Sequence, residues 1–283
     1  MRILKRKKGN KEYFYLQHSF RKGSKIITRE KYLGKEIPKN IEKIEAEIKK
    51  QSQGDIYKKL EIIKKNFQEE WKKFPDSIKD KQKEEIAIAF TYNTNAIEGS
   101  TITLDETREI IKDKIAPNKP LRDIKETEAH YKVFLGMLNK KENWTNKSIS
   151  KWHNNLFKET KQDIAGKFRD YLVRVGDYRA PDWQDVEKLM KEFIRFINKN
   201  KLNPVELAAR AHYKFEKIHP FGDGNGRIGR LIMNYILWHN KYPMLIVEYK
   251  KRKPYYKALR REEDGFVNYF LRKYISVHKK RTE

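Results

Sequence analysis

From Ile41 onward, apolar residues recur every three or four positions, the spacing of amphipathic helices. The pattern predicts helices over Ile41–Gln53 and Asp55–Phe74, broken at Gly54, then over about Ile78–Ile97 and Asp105–Ile115. Pro117 and Pro120 mark a loop. Further helices are expected over Arg122–Leu138, Asn146–Glu159, Val186–Asn198, Pro204–Ile218 and Arg227–Asn240, with Pro254–Leu259 and Gly265–His278 closing the set. The first forty residues differ. Glu12–Phe20 is aromatic and rich in strand formers, Arg21-Lys-Gly-Ser24 makes a turn, and Lys25–Leu33 returns as a second strand. Gly166–Pro181 alternates apolar and polar residues and ends in Gly and Pro signals, which predicts an extended hairpin between two helices. The expected architecture is mainly α. Residues 1–40 form a small basic β-hairpin appendage, 41–100 a helical extension, and 101–283 the main helical domain with its own hairpin.

Composition narrows the function classes. With 283 residues the chain can bury a core, and the absence of cysteine excludes disulfides, Cys-ligated zinc and thiol catalysis. No apolar run reaches the roughly 20 residues of a bilayer span, and the charged N-terminus lacks the apolar stretch of a signal peptide. A cytoplasmic protein without membrane partners is the expectation. The 65 Lys plus Arg against 39 Asp plus Glu leave a net charge of +26. Such a charge fits a nucleic-acid partner, and equally a lysine-rich proteome. Because the basic residues are spread along the helices, the second account is favoured over nucleic-acid binding.

The densest chemistry lies in His219-Pro-Phe-Gly-Asp223-Gly-Asn225-Gly-Arg227-Ile-Gly-Arg230. A glycine-rich turn here feeds an apolar stretch of helical length, Leu231–Trp238. A helix N-terminus offers unpaired N–H groups and partial positive charge, which suits a phosphate, and glycine lets the backbone approach an anion. Arg227 and Arg230, three apart, would add bidentate oxyanion contacts. Asp223 supplies a carboxylate for Mg²⁺, and His219 can take a proton from a hydroxyl at neutral pH. These residue types together point to a site for a magnesium polyphosphate and a nucleophile.

The same string resembles the signature of the Fic family, His-x-Phe-x-Asp/Glu-Gly-Asn-Gly-Arg-x-x-Arg, at all eight specified positions, Phe221 among them. The resemblance implies a Fic-type helical domain that transfers AMP from ATP-Mg²⁺ to a Ser, Thr or Tyr hydroxyl of a target protein or of itself. It assigns His219 as general base and Asp223 as metal ligand. The α-phosphate region falls to Asn225 with the N–H groups near Gly224 and Gly226, and the outer phosphates to Arg227 and Arg230. Upstream, Thr94-Asn-Ala-Ile-Glu98-Gly99 is similar to the family's inhibitory signature, so the carboxylate of Glu98 is expected to pair with Arg230 where a γ-phosphate would sit. The Gly166–Pro181 hairpin looks like the Fic flap. Val173, Arg174, Val175, Gly176, Asp177 and Tyr178 would hold a target segment there by strand addition. Tyr255 and Tyr256 resemble the tyrosines near the nucleobase, whereas Glu126–His130 lacks an asparagine that many relatives carry. Family members often form dimers, which leaves a homodimer open. Two alternatives remain: a Fic-fold enzyme that removes AMP or transfers another phosphate-bearing group, and a basic DNA-associated regulator.

Overall fold

Residues 2–9, 11–22, 25–38 and 40–283 are described by the computed structural model. The chain divides into two units, Met1–Glu61 and Ile62–Glu283.

In the first unit, β1 (Arg2–Lys8), β2 (Lys11–Lys22) and β3 (Lys25–Gly34) form an antiparallel sheet in the order β1-β2-β3. The expected hairpin is β2–β3; of its turn, Gly23 and Ser24 lie outside the described residues. The third strand is a correction. β1 carries only two apolar residues, adjacent rather than alternating, so its pattern signals no strand, yet its backbone pairs with β2 from Arg2↔Gln17 to Lys8↔Lys11. Charged side chains are tolerated because β1 is an edge strand. Alternation puts Tyr13, Tyr15 and Gln17 on one face and the fully buried Leu16 on the other.

Helix α1 (Ile41–Lys73) runs on without the break expected at Gly54. A helical glycine costs only about 1 kcal/mol relative to alanine, which a helix of this length absorbs.

The second unit is helical: α2 (Asp76–Ile97), α3 (Leu104–Arg108), α4 (Leu121–Asn139), α5 (Asn146–Phe157), α6 (Val186–Lys199), α7 (Pro204–Ile218), α8 (Asn225–His239), α9 (Arg252–Leu259) and α10 (Glu263–Val277). At its centre is α8, buried from Arg227 to Leu237, mostly apolar but with Arg227, Arg230 and Asn234 along one face. It packs against α7, α4, α2 and α5, while α10 covers the other side of α7. Starts are set by side chains: Thr103 and Glu106 form a capping box for α3, Thr145 and Ser148 one for α5, and Asn203 with Pro204 opens α7. The helix expected through Ile115 is shorter. α3 passes into a π turn, Glu109–Asp113, that ends at Lys114 in the left-handed region.

The hairpin between α5 and α6 is also smaller than expected. Only β4 (Arg174–Val175) and β5 (Tyr178–Arg179) pair. Beyond the paired residues the guanidinium of Arg169 takes the carbonyls of Tyr171 and Pro181, at 2.8 and 2.6 Å. Among the described residues no helix is long and apolar enough to cross a membrane.

Candidate functional site

The site is built where α7 ends and α8 begins. His219 terminates α7 in the left-handed region, φ 51°, with its N–H still bonded to Phe215. The following proline disfavours a further helical residue, so the chain turns. Phe221 is fully buried and stacks on His153 at 3.8 Å between ring centroids. Gly224 precedes α8 with φ 76°, and the ring of Phe157 fills the space a Cβ would need there. The loop's curvature therefore depends on glycine at this position.

Asn225 closes the loop on itself. Its amide accepts the Phe221 N–H at 2.9 Å and donates to the Phe221 carbonyl at 2.8 Å. The amide expected to cradle a phosphate thus also shapes the loop, with one N–H and one lone pair beyond these two bonds. Also open to an anion are the backbone N–H groups of Asn225, Gly226 and Arg227, which have no intrahelical acceptor in the first turn of α8.

His153 supports the loop from behind. Its Nδ1 accepts the Gly166 N–H at 2.9 Å, so the proton sits on Nε2, which donates to the Asp223 carbonyl at 3.0 Å. Burial lowers its pKa to about 4 and keeps it neutral.

The imidazole of His219 is likewise pushed below its ordinary pKa, by burial first and the Arg169 guanidinium second, against the Glu216 carbonyl. Nδ1 lies 3.4 Å from that carbonyl, which can only accept, so Nε2 keeps its lone pair. Arg169 fixes the backbone of the same residue: its Nε donates to the His219 carbonyl at 2.8 Å, and its N–H to the Pro220 carbonyl at 2.9 Å. Arg169 is buried, and its guanidinium bonds the backbone carbonyls of His219, Tyr171 and Pro181. It ties the base of the hairpin to the candidate base.

Asp223 is half exposed; its Oδ2 bonds Lys161, its Oδ1 accepts the Gly224 N–H at 2.5 Å, and Arg227 stands 3.8 Å away. Burial opposes ionisation, but Lys161 and Arg227 outweigh it and hold the carboxyl below its usual range. An ionised single carboxylate suits Mg²⁺, which takes its remaining ligands from phosphates and water. Among the described residues no group of three or more His, Asp or Glu is gathered around a cation site, so a divalent ion would depend on Asp223 and a substrate.

The two arginines have different partners. Arg227 pairs with Glu126, lies 4.5 Å above the Phe157 ring and is almost fully buried. Lys161 reaches the same glutamate at 3.3 Å. Arg230 lies beneath Glu98: Nη2 meets Oε1 at 2.5 Å, and Nε donates to the Thr94 hydroxyl at 2.7 Å. Thr94 and Glu98 stand one turn apart at the end of α2, so one helix face delivers both, and Gly99, φ 95°, turns the chain away. Glu98 Oε1 occupies the space that a Cβ at Gly226 would take.

Glu98, Asp123, Glu126, Lys161, Asp223 and Arg227 line a cleft of about 250 Å³ beside the loop. Glu126, Lys161, Arg169 and His153 were absent from the sequence-derived site. Glu126 lies 101 positions from Arg227, Lys161 62 from Asp223, Arg169 50 from His219 and His153 70 from Asp223, and no local pattern marks these pairings. Tyr256 is part-exposed with its hydroxyl 3.3 Å from the Ile97 carbonyl. Tyr255 is buried, its hydroxyl on His212 at 2.7 Å, so of the two only Tyr256 presents surface to a ligand. In the hairpin, Gly176, φ 58°, and Asp177 make the turn. Val175 is exposed, the Ala180 N–H reaches the Val173 carbonyl, and the Tyr178 hydroxyl donates to the Lys217 carbonyl at 2.8 Å.

Fold and site together define a helical domain that presents a glycine-rich loop with open N–H groups beside a neutral histidine. Residues 143–237 match the Fic/DOC family. Proteins named protein adenylyltransferase Fic are among its relatives. The one from Nematostella vectensis is 36% identical over 189 residues, 64% of this chain and 44% of that protein. The one from Drosophila mojavensis is 30% identical over 277 residues, 91% of this chain and 53% of that protein. The chain spans about half the length of the curated relatives it matches. Among solved structures, Fic-1 from C. elegans superposes with a TM-score of 0.69 at 26% identity, covering 86% of this chain and 77% of its own. A Fic-domain protein from Bacteroides thetaiotaomicron shares the fold, with a TM-score of 0.66 at 22% identity and coverage of 81% and 96%.

Proposed function

We propose that this chain is a protein adenylyltransferase held in a self-inhibited state. The observation that carries the reading is the loop itself: a neutral His219, an ionised Asp223 and the open N–H groups of α8 converge within one turn. ATP would place its phosphates on those N–H groups. A hydroxyl oxygen of a target protein attacks the α-phosphorus, its proton passes to His219 Nε2, and the bond to the bridging oxygen breaks to release pyrophosphate. Mg²⁺, held by Asp223 and the phosphates, would neutralise the charge on the transferring group. The Val173–Tyr178 hairpin supplies an edge on which an extended target segment can add as a strand.

Glu98 accounts for the inhibition. While it holds Arg230, that guanidinium is withheld from the outer phosphates, and a nucleotide that binds without it need not align its α-phosphorus for in-line attack. Two named relatives of this chain are adenylyltransferases by name, which supports the chemistry. The test is intact mass after incubation with ATP and Mg²⁺. A Glu98→Gly variant gaining one AMP supports the reading. An unchanged mass, with no labelled protein in lysate, removes it.

A further inference from the structure

The N-terminal unit carries a surface that the transfer chemistry does not use. Residues 1–40 hold 13 Lys or Arg and 3 Glu, with no Asp, a far steeper excess of positive charge than the chain as a whole. The sheet gives this charge a face. Register places Arg2, Leu4, Arg6 and Lys8 of β1 beside Gln17, Tyr15, Tyr13 and Lys11 of β2 in turn, and Tyr32 and Glu30 of β3 beside Tyr15 and Gln17. All these side chains share one face, opposite the buried Leu16.

Three tyrosines cluster at its centre. Tyr32 lies 5.3 Å from Tyr15 and 6.1 Å from Tyr13 between ring centroids, and Tyr32 remains 53% exposed. The guanidinium of Arg6 rests 4.8 Å over Tyr15. Around the rings lies a polar frame: Glu30 accepts from Arg6 at 2.9 Å and from Gln17 at 2.7 Å, and Gln17 accepts from Arg2 at 2.5 Å. The frame fixes both arginines beside the rings. Lys8 and Lys11, at the end of the same face, form no ion pair among the described residues and are exposed.

The face thus offers one exposed ring, Tyr32, beside the part-exposed Tyr13 and Tyr15, inside a rim of cations. Unpaired bases stack on such rings whatever their sequence, and the phosphates between them require basic groups along the path. The charge excludes a basic partner, and the aromatic centre distinguishes the face from a lysine-covered surface that merely keeps a protein in solution. We propose that the β1–β3 face binds single-stranded nucleic acid, with bases on the Tyr13/Tyr15/Tyr32 cluster and phosphates on Arg2, Lys8 and Lys11.

The experiment is fluorescence anisotropy of the full chain with a labelled 20-nucleotide single strand, as DNA and as RNA, and with the corresponding DNA duplex, between 50 and 200 mM salt, where ~20 nucleotides exceed the span of one such site. Binding is expected to favour a single strand over the duplex and to weaken with salt. Tyr32→Ala should weaken it roughly tenfold and Tyr32→Phe leave it within about twofold, because phenylalanine keeps the ring. Lys8→Ala with Lys11→Ala should reduce the salt slope by about 1.4, from two lost phosphate contacts. The DNA and RNA arms identify which strand is preferred. Equal binding by Tyr32→Ala, preference for the duplex, or equal capture of the chain by phosphatidylserine vesicles would overturn the proposal. AMP transfer by Glu98→Gly should be the same in all these variants, which separates this surface from the loop at His219.

Discussion

The Oε1 oxygen of Glu98 stands 2.5 Å from Nη2 of Arg230, in the space a side chain at position 226 would fill. Three conditions meet at this contact: a helix α2 that ends there, a glycine at the second residue of α8, and an arginine whose other donor is held by Thr94. Burial disfavours the guanidinium charge, and Glu98 more than restores it. The pair is thus a retained charge contact that a polyphosphate would have to break. Glu98→Gln keeps the shape but loses most of the ionic attraction. Its AMP transfer should rise at least severalfold over wild type, short of Glu98→Gly, and chiefly in turnover rather than in ATP affinity. Initial rates at saturating ATP check this; equal rates for wild type and Glu98→Gln would disconnect the pair from inhibition.

Lys161 holds the carboxylate proposed to take a metal. Its ammonium bridges Asp223 and Glu126, so a divalent ion must displace it. Lys161→Met should therefore lower the Mn²⁺ concentration at half saturation, read by the loss of free-ion EPR signal, by about threefold or more, since an ionic competitor is removed. Asp223→Ala should abolish that binding and most activity. Superimposed Mn²⁺ titrations for wild type and Lys161→Met would show that the ion does not use Asp223.

Arg169 holds the proposed base, His219, through its backbone. Substitution by Gln removes donors to the carbonyls of His219, Tyr171 and Pro181, and each buried carbonyl left unpaired costs about 1–3 kcal/mol. Thermal stability should fall. In the Glu98→Gly background, turnover should drop about tenfold or more while ATP affinity, measured by calorimetry, stays within about twofold, because misplacing a reacting group affects the chemical step. Unchanged turnover would leave Arg169 with a purely structural role.

Acid should destabilise the protein before its carboxylates other than Glu216 titrate. His153 and His278 are lowered to about 4 and His212 to about 3, all by burial, and buried His130 is shifted in the same direction. Each stays neutral in the fold while the unfolded chain takes up protons below about pH 6.5. The stability they contribute is present above that pH and is lost as the pH falls towards 4, at up to about 1.4 kcal/mol per unit for each. Glu216 runs the other way: burial raises it to about 7, so it stabilises the fold relative to the unfolded chain progressively as pH falls from 7 towards 4.5. Four histidines outweigh one glutamic acid. The urea midpoint should fall steadily from pH 6.5 to 4.5, and a flat profile would contradict the buried neutral imidazoles.

How much of this was legible in the sequence follows from distance along the chain. His219 to Arg230 was readable because loop, carboxylate and helix start lie within twelve residues. Glu98 with Arg230 was readable only through resemblance, since 132 positions separate them. Nothing local announced that Glu126 would meet Arg227 or that Lys161 would meet Asp223; these contacts exist because α4 and the end of α5 pack against the start of α8. Asn225 was read as a ligand because its amide can bind phosphate; that the same amide also closes the turn onto Phe221 was not legible. β1 was missed because an edge strand need not alternate, and Gly54 was over-read because one glycine does not end a helix.

The central claim is that AMP is transferred at His219 and restrained by Glu98. The most direct measurement is incorporation of α-³²P label from ATP by wild type, Glu98→Gly and Glu98→Gly/His219→Ala, with nucleotide binding measured in parallel. Low labelling of wild type, strong labelling of Glu98→Gly, and a loss of about 10²–10⁴-fold in the double variant with nucleotide still bound is the expected result. Wild type labelling as fast as Glu98→Gly, or a double variant that still labels, would contradict it.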